Sequence, residues 1–107
     1  MNTGMYILND AGEPVAVSPA EWSLWFDDAK NRQLARDDFG EISVSTVFLG
    51  IDHGWGRGEK PILWETMVFG GPLDHERERY TSRDDALAGH AVITALVKAL
   101  AETGGGS

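Results

Sequence analysis

The amino-acid sequence predicts one α+β domain, in which an antiparallel sheet packs against two helices in the order β-β-α-β-β-β-α. Short runs rich in β-branched residues alternate with glycine-containing turns, and two segments place apolar residues at helical spacing behind an N-cap. The chain has 107 residues, a length that suits a single domain. We expect this domain to cover residues 1–101 and the glycine-rich residues 102–107 to form a disordered tail.

The first predicted element is a β-hairpin. Residues 5–8 (MYIL) form a short apolar run, residues 9–12 (NDAG) have turn chemistry, and residues 14–17 (PVAV) form a second extended segment. Because asparagine, aspartate and glycine tolerate positive φ, we expect the two segments to pair.

The first helix is predicted to begin behind Ser18. This residue is a suitable N-cap, Pro19 occupies the first helical position, and Glu21 completes a capping box. The following residues build one apolar face at positions i, i+3, i+4 and i+7, namely Trp22, Trp25, Phe26 and Ala29. We expect the helix to run to about Ala35.

Three further strands are predicted to form an antiparallel meander. Residues 41–51 and 62–69 are rich in β-branched residues, and residues 76–81 alternate acidic and basic side chains. Charged side chains protect an edge strand against unwanted pairing, so the third run is expected at the edge of the sheet.

The second helix is predicted behind Thr81 or Ser82, with two aspartates in its first turn. One face of this helix has helical spacing and consists of Ala86, His90, Ile93, Val97 and Leu100. Gly89 lies beside that face and would allow the helix to approach the sheet closely. We expect both helices to cover the same face of the sheet.

The composition excludes or disfavours several classes of function. The chain has no cysteine, so it forms no disulfide, thiolate zinc site or thiol nucleophile. Its net charge of −8 repels phosphate, which disfavours direct nucleic-acid binding and suits a basic protein surface. No secretory signal is visible and no apolar run approaches the roughly 20 residues needed to span a bilayer, so we expect a cytoplasmic protein without membrane contact.

The loop between the two apolar strands is the first candidate site. Among its glycines it carries metal-capable, aromatic and cationic side chains, namely Asp52, His53, Trp55 and Arg57. A metal site needs three or four convergent ligands. His75 in the next loop could join Asp52 and His53, whereas His90 is expected to be a hydrogen-bonded packing residue. We therefore expect no native metal and no cofactor, and interpret the loop as a contact loop or as a flexible connection.

Glu65 is the second candidate, because it interrupts an apolar run. On the period of a strand it shares a face with Leu63, Met67 and Phe69. We expect its carboxylate to lie near an edge, to be exposed, or to pair with Arg77 or Arg79 on the neighbouring strand. A role as a general base is the alternative.

Several segments resemble a family of small proteins from bacterial phages and prophages. They are residues 5–15 (MYILNDAGEPV), 45–53 (STVFLGIDH), 64–71 (WETMVFGG), 78–82 (ERYTS) and 88–90 (AGH), within a similarity that runs from Met5 to about Lys98. The resemblance implies a phage-type protein expressed inside a bacterial cell and brings no particular activity with it.

These observations favour a non-enzymatic binding protein that acts in the bacterial cytoplasm on a host or phage protein, such as a defence or nucleic-acid-processing factor. Its contact side chains are expected to be aromatic and cationic: Trp55, Trp64, Arg57, Arg77 and Arg79. A homodimer is also expected if the uncovered face of the sheet exposes Val47, Leu49 and Trp64.

Two alternatives remain open from the sequence. A nucleotide-binding protein could stack a base on Trp55 or Tyr80 and hold phosphate with Arg57 or Arg79. A small metal-assisted enzyme would require Asp52, His53 and Glu65 to converge with His75 or His90.

Overall fold

The α+β class predicted from the sequence is confirmed by the computed structural model, which describes residues 4–27, 32–54 and 60–104. In chain order the elements are β1 (Tyr6–Leu8), β2 (Pro14–Ala16), α1 (Pro19–Phe26), β3 (Gln33–Phe39), β4 (Ile42–Phe48), β5 (Trp64–Phe69), β6 (Arg77–Tyr80) and α2 (Arg83–Gly104). The strands β1 and β2 form a two-stranded antiparallel sheet, and the other four form an antiparallel sheet in the order β3-β4-β5-β6.

The meander therefore has four strands, and the prediction of three was wrong in this respect. The first helix ends at Phe26 rather than near Ala35, and residues 33–39 form the edge strand β3. The predicted end of α1 overlapped this strand because residues 34–36 (LAR) are good helix formers.

A tight turn explains why residues 33–39 pair instead. Phe39 is opposite Ile42, so only Gly40 and Glu41 connect β3 to β4. Gly40 has a φ of 61°, which glycine adopts without the steric cost that other residues bear. The resulting hairpin gives β3 a continuous partner, and this pairing outweighs the weak local helix propensity.

One face of the four-stranded sheet, called the inner face below, forms the core. Alternate residues of β4 and β5 point to this face and are buried, namely Val44, Thr46, Phe48, Trp64, Thr66 and Val68. On α2, Ala86, His90 and Val97 are buried against them. The predicted apolar face of the second helix is thus confirmed.

The short helix α1 lies on the same face. Trp25 and Phe26 pack around Phe48, with ring centroids 5.7 and 6.4 Å from it. Its N-terminus has the predicted cap, since the backbone N–H of Glu21 donates to Ser18 Oγ at 3.2 Å. The prediction that both helices cover one face of the sheet is therefore confirmed.

The second helix approaches the sheet closely at Gly89. A side chain at this position would collide with the ring of Tyr80, so glycine is required for the observed distance between helix and strand. Ser82 caps this helix by accepting a hydrogen bond from the backbone N–H of Asp85 at 3.0 Å. Both features agree with the sequence-based prediction.

The same helix extends to Gly104, three residues beyond the domain boundary predicted at Ala101. Residues 105–107 of the predicted tail lie outside the described residues. Within the described ranges, no helix combines the length and the apolar character needed to cross a membrane.

Candidate functional site

The second face of the four-stranded sheet, called the outer face below, collects several of the predicted site residues. In the described part of the chain, both helices and the β1–β2 hairpin pack on the inner side. The outer face consists of the remaining alternate positions: Arg36 and Asp38 on β3, Ser43, Ser45 and Val47 on β4, Glu65, Met67 and Phe69 on β5, and Arg77 and Arg79 on β6.

Glu65 and Arg79 form an ion pair on this face. They are opposite each other in the β5–β6 register, and Arg79 Nε donates to Glu65 Oε2 at 2.9 Å. The side chain of Glu65 is only 13% exposed, so a partner for its charge is needed. The predicted pairing of Glu65 with an arginine of the neighbouring strand is confirmed, and this contact occupies the carboxylate.

A second charged group lies at the opposite edge of the outer face. Arg36 Nε contacts Asp38 Oδ1 at 3.2 Å, and the hydroxyl of Ser43 donates to the same oxygen at 2.6 Å. The hydrogen bond from Ser43 and the nearby guanidinium of Arg36 lower the pKa of Asp38, while partial desolvation opposes them. Asp38 therefore remains ionised and holds Arg36 over β4.

The two central strands present three apolar and three polar side chains on the outer face, and each apolar one lies opposite a polar one: Phe69 opposite Ser43, Met67 opposite Ser45, and Val47 opposite Glu65. Val47 and Met67 lie on the two central strands, and Phe69 at the end of β5 is 48% exposed. Arg77 is opposite Met67, is exposed, and has no ion pair among the described residues. The face therefore combines apolar side chains with serines, two ion pairs and one arginine that has no ion pair in the described part of the chain, a mixed composition found in protein interfaces.

Asp52 has a structural role in the loop that follows β4. Its Oδ1 accepts hydrogen bonds from the backbone N–H groups of Gly54 and Ile62, at 2.8 and 2.9 Å. The backbone N–H of His53 donates to the carbonyl of Ile62 at 3.0 Å. These bonds close the two ends of the loop on each other.

The remaining loop candidates, Trp55 and Arg57, lie outside the described residues. Among the residues that the structure does describe, no three histidine, aspartate or glutamate side chains lie close enough to hold a metal ion.

Two other predicted contact residues belong to the core. Trp64 is 1% exposed and Tyr80 is half-buried, and both lie on the inner face. Arg79 points to the outer face, because successive residues of a strand alternate. The structure therefore does not bring Tyr80 and Arg79 together as a base-stacking and phosphate-binding pair.

A buried chain of hydrogen bonds crosses the inner face, and the sequence indicated only part of it. His90 Nε2 lies 2.8 Å from Asp37 Oδ2, and His90 Nδ1 lies 2.7 Å from Thr46 Oγ1. Thr46 is hydrogen-bonded to Thr66, whose hydroxyl oxygen accepts from Tyr80 at 3.1 Å. The expectation that His90 is a hydrogen-bonded packing residue is confirmed, since it is 6% exposed.

The hydrogen bonds of this chain are consistent with a single direction of donation. If His90 carries its proton on Nε2, it donates to Asp37 and accepts from Thr46, while Thr46 accepts from Thr66 and Thr66 from Tyr80. Each hydroxyl then donates once and accepts once.

Carboxylate, imidazole and hydroxyl follow one another in this chain as they do in hydrolases with a nucleophilic hydroxyl. The hydroxyl is inaccessible, however, because Thr46 is 0% exposed and lies between β5 and α2. A nucleophile must reach its substrate, so the arrangement is a structural network that joins β3, β4, β5, β6 and α2.

A cavity of about 360 Å³ opens between the β1–β2 turn and the N-terminus of α2. Trp64 and Ser82 line it, and Arg83 is flanked there by Glu13 and Asp84. The two carboxylates outweigh the one cation, so the cavity does not favour an anion.

No family model, curated protein or solved structure matches the chain. The resemblance to phage proteins therefore stays a prediction.

Proposed function

We propose that the chain is a non-catalytic binding protein that engages a second protein through the outer face of its sheet. The observation that supports this proposal is that three apolar side chains of that face, Val47, Met67 and Phe69, have no cover from the described helices and hairpin. Apolar side chains that lie beside arginines on an uncovered sheet face are typical of a protein-binding surface.

The charges of the outer face indicate the kind of partner. The outer face carries three arginines, Arg36, Arg77 and Arg79, and two carboxylates, Asp38 and Glu65. Its charge is therefore slightly positive, although the whole chain has a net charge of −8. We expect a flat partner surface that offers apolar side chains to Val47, Met67 and Phe69 and acidic groups to the arginines.

Nucleic acid suits this face less well. Two of the three arginines are already paired with carboxylates, and the negative field of the whole chain opposes a phosphate backbone. Following the sequence resemblance, we propose a bacterial cytoplasmic location and a host or phage protein as the partner.

The test compares two matched double variants in affinity capture from bacterial lysate, followed by binding measurements with the purified partner. Phe69→Ser with Arg77→Glu alters the outer face. Leu24→Ser with Arg83→Glu makes similar changes at exposed positions away from that face, where Leu24 is 76% exposed.

We expect the outer-face variant to weaken partner binding at least about tenfold and the control variant to leave it unchanged. Equal binding by both variants, or failure of the wild-type chain to bind any protein specifically, would contradict the proposal.

A further inference from the structure

The helix α2 is apolar on both of its sides, although only one side packs on the sheet. Residues 86–97 contain no aspartate, glutamate, lysine or arginine, whereas a surface helix normally carries charged side chains toward solvent. The inner side of the helix, with Ala86, His90 and Val97, is buried against the sheet. The other side is uncovered among the described residues and is called the outer side of α2 below.

The outer side of α2 combines small residues with larger apolar ones. Its exposed residues are Leu87, Ala88, Ala91, Val92, Ala95, Leu96 and Ala99. Val92 is 68% exposed and Leu96 is 51% exposed, so both offer apolar area to a partner. The alanines would allow another helix to approach to about 8 Å between axes.

Charged residues at the two ends of this side are complementary to each other. Asp84, Ala91 and Lys98 are spaced by seven residues, so they lie along the same side of the helix. An antiparallel copy related by a two-fold axis beside Ala91 would place Lys98 of each helix opposite Asp84 of the other. Two ion pairs would form, and the two helix dipoles would be opposed.

We propose that α2 binds α2 of a second copy of this chain in antiparallel orientation. A parallel pair would set Asp84 against Asp84 and Lys98 against Lys98, so the charge order favours the antiparallel one. The contact is isologous, as in most protein dimers, because one patch meets itself. It uses a different surface from the partner site proposed on the sheet and does not depend on it.

The size of the surface sets the expected affinity. The helix has 22 residues and is about 33 Å long, so a helix pair buries less than the roughly 800 Å² per partner of a standard interface. We therefore expect a weak dimer, with a dissociation constant in the micromolar range.

The experiment is sedimentation velocity on the full chain at low salt, over protein concentrations from about 10 μM to about 1 mM. Lys98→Glu replaces both proposed ion pairs by repulsion. Lys60→Glu is the matched control, because it makes the same charge change at an exposed lysine outside α2. Circular dichroism verifies that each variant keeps the helix content of the wild-type chain.

We expect concentration-dependent dimers of the wild-type chain and of Lys60→Glu, and at least a tenfold weaker association of Lys98→Glu. Mixing Lys98→Glu with Asp84→Lys should restore association in the form of a heterodimer, since the two charges then complement each other again. A chain that stays monomeric throughout, an equal effect of both lysine variants, or absence of the heterodimer would each overturn the proposal.

Discussion

Thr66 occupies a central position in the buried hydrogen-bond chain. Its hydroxyl accepts from Tyr80 and is bonded to Thr46. We predict that Thr66→Val, which keeps the shape of the side chain, lowers the free energy of unfolding by about 1–3 kcal/mol, because it leaves buried polar groups without partners. Urea denaturation measures this loss.

Thr94 provides the matched control for this substitution. Its hydroxyl is buried on α2 and has no hydrogen-bond partner in the described part of the chain. Thr94→Val should therefore leave the stability unchanged or raise it. If Thr94→Val cost as much as Thr66→Val, the loss at Thr66 would reflect packing and the proposed role of the network would be wrong.

The inward-facing threonines are the part of this network that a sequence can reveal. Thr46 and Thr66 take inward positions beside Val44, Phe48 and Val68, where a hydroxyl needs a partner. Asp37 could not be assigned in the same way, since it fell just after the predicted helix. Only the pairing of β3 with β4 brings its carboxylate to His90.

At the scale of the elements, the position of α1 depends on Gly50. This residue has a φ of 76°, its carbonyl accepts from Trp22 Nε1 at 3.0 Å, and an added side chain would collide with the ring of Phe26. We predict that Gly50→Ala lowers the free energy of unfolding by about 2–4 kcal/mol, through backbone strain and displacement of α1.

Gly40→Ala separates these two causes. Gly40 has a similar φ of 61°, but an added side chain there meets no atom within 4 Å. We expect Gly40→Ala to lower the free energy of unfolding only through backbone strain, by about 1 kcal/mol. Urea unfolding measures the loss of stability in both variants. Equal losses would show that the packing of α1 against Gly50 does not contribute to the free energy of unfolding.

The elements also show where sequence-based prediction succeeds and where it fails. Both helix N-termini were predicted correctly because local capping by Ser18 and Ser82 determines them. The end of α1 was predicted wrongly because residues 33–39 pair with β4, and this pairing outweighs their local helix propensity. The outer face could be anticipated at Glu65 and Arg79, since the alternation of strands fixes which residues share a face.

At the scale of the whole molecule, the net charge of −8 is a source of self-repulsion. We predict that raising sodium chloride from about 10 mM to about 300 mM increases the melting temperature by several degrees, because it shortens the Debye length. The melting temperature is measured by circular dichroism. A protein concentration below about 10 μM ensures that self-association does not affect it.

Lys60→Glu serves as the control here as well. It should lower the melting temperature at low salt and much less at high salt. A decrease in the wild-type melting temperature with salt would mean that screening of ion pairs such as Glu65–Arg79 outweighs the relief of repulsion.

The buried hydrogen-bond chain also has a consequence for how this protein can change over generations. Five side chains are hydrogen-bonded to one another in this chain: Asp37, Thr46, Thr66, Tyr80 and His90. Replacing one of them by an apolar residue leaves a buried polar neighbour without a partner, which costs more stability than replacing both. A sequence that changes these positions one at a time therefore passes through chains of lower stability. Homologous chains should keep the five residues as a set or replace several of them together, most simply by apolar residues.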